Sequence, residues 1–313
     1  MPDDPLPSVM AVTSADADHF DLALELILSL RRFSSLGSIK LGMLDVGLTD
    51  GQRELLLARE VTIAQPRWEF DGEPPPQMPR GCLAMLSRPF LPRYFPAANV
   101  FVSLDSDTWV QMESGITDLA AGAMRSDIAV VPEMHPSYAH LYKPQHANRK
   151  EHRSTFAAVY GQDLPFPADN IVLNAGVFAA RSDSPLWNVW SQSLAAALSR
   201  VRDGVLSSGK PLFSVWHPIH HFIEQNALNH AFYAKGLRLY PMSALYNFIC
   251  TLSQPLFDAD IKKLVEPTAP FAPIRIIHLT GAGKRTTQVF DRDRHSYARG
   301  LRYSDWQEMI AGQ

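Results

Sequence analysis

Hydrophobic positions in this chain come in short, unbroken runs separated by longer stretches in which apolar residues recur every three or four positions. Six runs read as strands: VMAVTS at 9–14, KLGMLDV at 40–46, NVFVSL at 99–104, DIAVVP at 127–132, IVLNAGVFA at 171–179 and IRIIHL at 274–279. They are apolar throughout instead of alternating, the pattern of strands covered on both faces. Helical periodicity fills 19–34, 50–60, 184–206 and 220–234. Strands alternating with helices predict a three-layer α/β/α domain with a mixed, mostly parallel central sheet. One domain is expected over 1–290, followed by a polar tail over 291–313 with a docking helix around Tyr303 to Ile310. Trp187 and Trp190, three apart on a predicted helix, are expected in the core.

Two stretches break the pattern. GEPPPQMP at 72–79 reads as a stiff surface connection. The segment 133–169 is rich in His, Pro, Tyr and basic residues, has weak periodicity, and reads as a long loop excursion over the site. Its histidines His135, His140, His146 and His152 are assigned to that polar loop.

Composition narrows the function classes. The 313 residues carry a net charge of −3, so binding to nucleic acid by phosphate neutralisation is not expected. The two cysteines, Cys82 and Cys250, lie far apart and fit no CxxC pattern, which reads as reduced thiols. The most apolar helix candidate, LALELILSL at 22–30, is too short to span a bilayer, and MPDDPLPSVM is acidic where a signal peptide is basic. The expected location is cytoplasmic, with peripheral membrane contact left open.

In open α/β sheets ligands bind at the carboxyl ends of strands. Polar clusters fall at three such ends: Thr13 to Asp16, Asp105 to Asp107, and His278 to Lys284. Asp105 and Asp107 alternate just past an apolar strand, where the chain curls and the two can converge. Two adjacent carboxylates repel unless a cation or proton is shared, and a hard divalent cation, Mn2+ or Mg2+, resolves that. A pair of solvated turn aspartates is the plain alternative. In HLTGAGK, His278 offers a nitrogen ligand to the same cation. Gly281 and Gly283 let backbone approach a phosphate, and Lys284 supplies a point charge. A flexible turn with a solvated lysine fits as well.

Other residues also carry two readings. Arg88 is either a donor contact or a surface residue before Pro89. Asn174 sits in an apolar strand and needs a partner, ligand or backbone. Glu224 and Gln225 read as lying near a helix start, where the dipole alone favours a carboxylate. HPIHH at 217–221 lacks the HExxH arrangement of a zinc site and is assigned a structural or acceptor-binding role.

LDSDT, NAGVF, EQNALN and HLTGAGK occur in an order that resembles the GT-A glycosyltransferases, specifically the retaining family 8 type that includes lipopolysaccharide galactosyl- and glucosyltransferases and glycogenin. The resemblance runs from Val9 to about Lys284, and the His278, Gly281, Lys284 spacing is its most specific part. It implies a metal-dependent transferase moving a hexose from a nucleotide-diphosphate sugar, a UDP-hexose, to a saccharide, glycolipid or other hydroxyl acceptor. It implies Asp105, Asp107 and His278 as metal ligands. Thr13, Asp16, His19 or Phe20, Arg88, Asp105, Ser106, Asn174, Ala175, Gly281 and Lys284 become donor contacts, with Glu224 and Gln225 beside the reacting carbon. Retention by front-side attack near Gln225 is the favoured course. The chain departs from the family pattern at Glu224 and Asn226, where aspartates are usual, and at the KRT that follows Gly283 in place of KPW. Two other readings stay open: a phosphohydrolase using the paired aspartates, and a catalytically silent nucleotide-sugar-binding protein on the same fold. The phosphohydrolase usually needs DxDGT early in the chain, and here the pair comes late and lacks the glycine.

Overall fold

A computed structural model describes residues 8–74, 78, 80–142, 147–161, 171–203, 219–292 and 297–311. The chain opens with β1 (Val9–Ala15), α1 (Phe20–Arg31), β2 (Lys40–Asp45), α2 (Asp50–Leu57) and β3 (Val61–Ala64). Then come α3 (Arg80–Leu86), a 3-10 turn at Arg88–Phe90, α4 (Leu91–Tyr94), β4 (Val100–Leu104), β5 (Thr108–Val110), α5 (Ser114–Arg125) and β6 (Ile128–Pro132). After α6 (Ala147–Tyr160) follow β7 (Leu173–Arg181), α7 (Leu186–Asp203), α8 (Ile219–Lys235) and β8 (Leu239–Pro241). Short strands complete the fold: β9 (Phe248–Ile249), β10 (Leu256–Asp258), β11 (Lys263–Val265), β12 (Ile276–His278), β13 (Gln288–Asp291) and β14 (Tyr297–Gly300), then α9 (Tyr303–Ala311).

Seven strands form the central sheet in the order β3-β2-β1-β4-β7-β6-β8. All its pairings are parallel except those of β7, which runs antiparallel to both β4 and β6. The apolar runs place alternate residues on opposite faces. Ala11, Val100, Val102 and Val131 pack on the face covered by α1 and α5, while Met10, Val12, Phe101 and Val130 pack on the face covered by α7 and α8. Trp187 and Trp190 are buried in that second layer.

The middle segment is not the long loop expected. Its described part holds a 3-10 turn (Pro136–Tyr142) and α6. His135 is buried and its Nε2 lies 2.8 Å from Glu266 Oε2; His152 sits on α6, buried against the Phe222 ring. The stripe α6 buries mixes His152 and Thr155 with Phe156 and Val159, so a purely hydrophobic count misses its periodicity. Residues 143–146 and 162–170 lie outside the described residues, as do His217 and Pro218 of HPIHH and the side chains of the rest of that motif. No helix among the described residues is long and apolar enough to cross a membrane.

Two small sheets flank the large one. β5, β12 and β9 form the one that matters for the site: β12 pairs antiparallel to β5 with His278 opposite Thr108, and parallel to β9 with His278 opposite Ile249. Behind β5, α9 packs on α1, and the Trp109 indole donates to Leu301 O at 2.9 Å. The Arg32 guanidinium lies over the Trp306 ring at 4.4 Å.

Candidate active site

Strand order reverses between β1 and β4, because β2 and β3 extend the sheet one way and β4, β7 and β6 the other. Such a switch point opens a crevice at the strands' carboxyl ends. Here it widens into a cavity of about 890 Å3.

Asp105 and Asp107 sit on a tight turn at the end of β4. Thr108 donates to Asp105 O through its backbone N at 3.0 Å and its hydroxyl at 2.7 Å. The β5–β12 pairing, with Leu279 N donating to Asp107 O at 2.9 Å, then brings His278 alongside. His278 Nε2 lies 3.2 Å from Asp107 Oδ1 and 3.6 Å from Asp105 Oδ2. One ligand atom from each of Asp105, Asp107 and His278 falls within 4.8 Å of the others. Lys284 closes the group, its Nζ 3.3 Å from Asp107 Oδ2. It rides on a turn through Thr280 and Gly281, both at positive φ, and Gly281 at +67° adopts that conformation without penalty.

Facing the acids, β7 bulges. Val131 pairs with Asn174 while its neighbour Val130 pairs with Phe178, so the chain between them is pushed out toward β4. Gly176 lies in that bulge and its carbonyl accepts from Asp105 N at 2.8 Å. A Cβ there would meet Asp105 Oδ2 and His278 Cε1 at 2.7 Å and Asn174 Oδ1 at 2.9 Å. Glycine is required because Asp105, His278 and Asn174 crowd its α carbon.

Arg88 is buried, which rules out the surface reading. Its guanidinium donates to Asp105 Oδ1, to Glu224 Oε1 and Oε2 at 3.3 Å, and to Ala175 O at 3.2 Å. Glu224 is therefore not a helix cap. It lies in the second turn of α8 with its carboxylate on Arg88. Gln225 beside it accepts from Ala175 N and donates to Glu133 Oε1, both at 3.2 Å. Asp16 accepts from His19 N at 2.9 Å and lies 2.8 Å from His19 Nδ1, which fixes the start of α1 at the far end of the cavity.

Asp16, His19, Arg88, Asp105, Ser106, Asp107, Asn174, Glu224, Gln225, His278, Gly281 and Lys284 all line this one cavity. Four residues from the sequence reading do not, Gly283 among them. Phe20 packs against the core, so His19 is the one of that pair facing the cavity. Ala175 contributes backbone only, and Thr13 is buried with its hydroxyl lacking a partner among the described residues. Sequence reasoning missed Glu133, Gly176 and Asn247. Asn247 is buried and its Oδ1 lies 2.8 Å from His278 Nδ1. A polar residue inside the aromatic and apolar stretch LYNFIC was its one available signal.

Charge in the cavity is unbalanced. Among the described lining residues, five carboxylates (Asp16, Asp105, Asp107, Glu133, Glu224) face two permanent cations (Arg88, Lys284). Burial pushes Asp105 up, only partly offset by Arg88 and His278. Burial also works to raise Asp107, but His278 and Lys284 outweigh it and hold that carboxylate well below its ordinary range. Burial pulls His278 down, and Asp107 and Asp105 together more than offset it, so the imidazole is raised. Glu224 is pushed up to about 7, burial exceeding the help from Arg88. Two carboxylates, an imidazole nitrogen and the surplus of negative charge fit a divalent cation.

The architecture and the placement of this site define a GT-A fold. The galactosyltransferase LgtC, solved in complex with donor and acceptor sugar analogs, shares it with a TM-score of 0.52 and 11% identity over 97% of this chain and 95% of LgtC. An active-site mutant of LgtC with glutamate in place of glutamine matches at a TM-score of 0.50. The bifunctional glycosyltransferase WbbM, in its apo form, matches at 0.51 and 16% identity over 99% of this chain, which spans 51% of WbbM. No protein-family model and no curated protein sequence matches the chain.

Proposed function

We propose that the chain is a metal-dependent hexosyltransferase that takes its sugar from a UDP-hexose and delivers it to a hydroxyl acceptor with retention of configuration. The observation that carries this reading is the convergence of Asp105, Asp107, His278 and Lys284 at the sheet's switch point, in a fold shared with glycosyltransferases. Asp105, Asp107 and His278 would hold Mn2+ or Mg2+, which supplies Lewis-acid stabilisation of charge on the departing diphosphate. Lys284 adds a second positive charge at the same end. Asp16 and His19 offer hydrogen-bonding groups to the nucleoside at the opposite end.

Arg88, Asn174, Glu224 and Gln225 line the side where the sugar would lie. Glu224 holds the Arg88 guanidinium against Asp105 and Ala175 O, which makes it a positioning group for the arginine. Gln225 is held from both ends of its amide and presents a fixed dipole to the cavity. LgtC also has a glutamine in its active site, the residue changed to glutamate in its solved mutant. Glu133 adds a carboxylate on the same side, tied to two amides. The arginine pairing of Asp105 disfavours a phosphohydrolase, whose nucleophilic aspartate must be free to attack. Two buried, unpaired thiols, Cys82 and Cys250, support a reducing, cytoplasmic setting. One catalytic unit over 1–290 with a C-terminal tail remains the proposed organisation.

The test is a panel of nucleotide sugars with purified protein, with manganese and with chelator, scored for binding and slow hydrolysis. Metal-dependent binding of one UDP-hexose, lost in Asp107→Ala, is the expected result. Phosphatase activity without nucleotide-sugar binding would favour the phosphohydrolase. Binding without turnover on any acceptor would favour the silent fold.

A further inference from the structure

The hydrogen atoms around His278 can be assigned by elimination, starting from two backbone amides. Gly176 N–H is a donor, so the Asn174 atom it meets at 2.9 Å is the amide oxygen. The Asn247 atom that faces that same oxygen at 2.8 Å must then be its NH2 group. This turns the Asn247 carbonyl toward His278 Nδ1, which lies 2.8 Å away and must donate. His278 Nδ1 therefore carries hydrogen, and Nε2 is the nitrogen turned toward Asp105 and Asp107. At the other end, Ala175 N–H fixes the Gln225 oxygen, so Gln225 Nε2 donates to Glu133 Oε1. Asn174 Nδ2 donates to the same carboxylate oxygen at 2.9 Å. One directed chain runs from His278 through Asn247 and Asn174 to Glu133, and Gln225 donates to that chain's last oxygen from the other side.

We propose that Asn247 is a positioning residue that couples the cation-binding end of the cavity to its sugar-facing end. Its carbonyl sets the tautomer and the ring orientation of His278. Its NH2 group fixes the orientation of Asn174, and through it that of Glu133 and Gln225. Asn247 is held for this task where the turn Ala244–Tyr246 runs into β9, the strand that pairs with β12 beside His278. It is 1% exposed, so water does not substitute for either of its partners. Partners of this kind to a ligating histidine change metal affinity by about 10- to 100-fold when removed. The identity of the cation rests on the function proposed above; the hydrogen assignment does not.

Two variants separate the halves of the role. Asn247→Leu removes both bonds. Asn247→Asp keeps an acceptor for His278 but sets a carboxylate oxygen against the Asn174 oxygen. Each is checked for folding by thermal unfolding, then titrated with Mn2+ by electron paramagnetic resonance and with UDP and UDP-galactose by calorimetry. Asn247→Leu is expected to weaken Mn2+ binding by about 10- to 100-fold. Asn247→Asp is expected to recover Mn2+ affinity while losing the advantage of UDP-galactose over UDP. Unchanged Mn2+ affinity in folded Asn247→Leu, or equal loss in both variants, overturns the proposal. Nitrogen-15 spectra of the metal-free protein supply a readout independent of any cation. His278 Nδ1 is expected to resonate as protonated in the wild type and Asn247→Asp, and in Asn247→Leu its proton is expected to exchange faster with water because its acceptor is gone. A wild-type Nδ1 without hydrogen overturns the assignment. A protonated Nδ1 in a protein that binds neither Mn2+ nor Mg2+ upholds the assignment and sinks the metal-dependent reading instead.

Discussion

The two ends of the cavity are built from different forces. At one end Asp105, Asp107, His278 and Lys284 meet as charges, and their arrangement is set by Coulomb attraction and repulsion. At the other, the amides of Asn174 and Gln225 meet on the Glu133 carboxylate and Asn247 meets Asn174, and their arrangement is set by the direction of hydrogen bonds anchored on backbone N–H groups. Charges act over several ångströms and tolerate small displacements, whereas an amide chain fails when a single donor becomes an acceptor. The first end therefore suits a ligand that brings its own charge. The second suits neutral hydroxyl groups that must be told apart by position.

Substitutions can break this contrast. The largest effect is expected for Asp107→Ala, which removes a cation ligand and the partner of Lys284. Turnover should fall by roughly 10³-fold, as when a major electrostatic contact to a transition state is lost, and added Mn2+ should not restore it. A steady-state assay across Mn2+ concentrations checks this, and full rescue by metal would show that the charged end is not organised around the cation.

Glu224 lies at the junction of the two ends and gives a pH signature. Its carboxyl is raised to about 7 from 4.5, so between those values the folded state holds a proton that the unfolded state has lost. Stability must fall as pH rises through that window, by an amount on the order of 3 kcal/mol at most. Glu224→Gln should flatten the fall, as followed by denaturant unfolding from pH 4.5 to 7.5. An unchanged slope would place the titration elsewhere.

Gly176→Ala forces a Cβ against both ends at once. It should cost about 1–3 kcal/mol in stability and disturb cation binding and sugar binding together. Loss of only one would mean the bulge serves that end alone. The smallest effect is expected for Arg285→Ala. Arg285 sits next to Lys284 and ties its loop to Asp21 of α1 through a half-exposed ion pair at 2.8 Å. Such pairs contribute about 0–1 kcal/mol, so UDP release should quicken only slightly, and less at high salt. A large change in stopped-flow release would make this latch part of the charged end.

Five of the seven strands of the large sheet were legible because β1, β2, β4, β6 and β7 are unbroken apolar runs, while its short edge strands β3 and β8 were not. The acids were legible because a DxD ends one of those runs. The small strands β8 to β11, β13 and β14 were not foreseen; they are two to four residues long, too short for periodicity to register. The helix α6 was hidden by the polar residues in its buried stripe. Glu224 was placed near a helix start, and only the fold shows that the partner of its carboxylate is Arg88, 136 positions away. Asn247 and Glu133 escaped for a different reason: they belong to no motif, and their meaning lies in what they touch.

The small sheet that joins β5 to β12 also has a consequence for the order of events at the ribosome. Lys284 follows Asp107 by 177 residues. At ordinary elongation rates that is a delay of roughly 10 to 35 s. Arg88 and Asp105, 17 positions apart, emerge almost together. The nascent chain can therefore shield one acid early, while the other waits for a further 177 residues. A chain interrupted before β12 can carry most of the large sheet and still have no place to hold a cation.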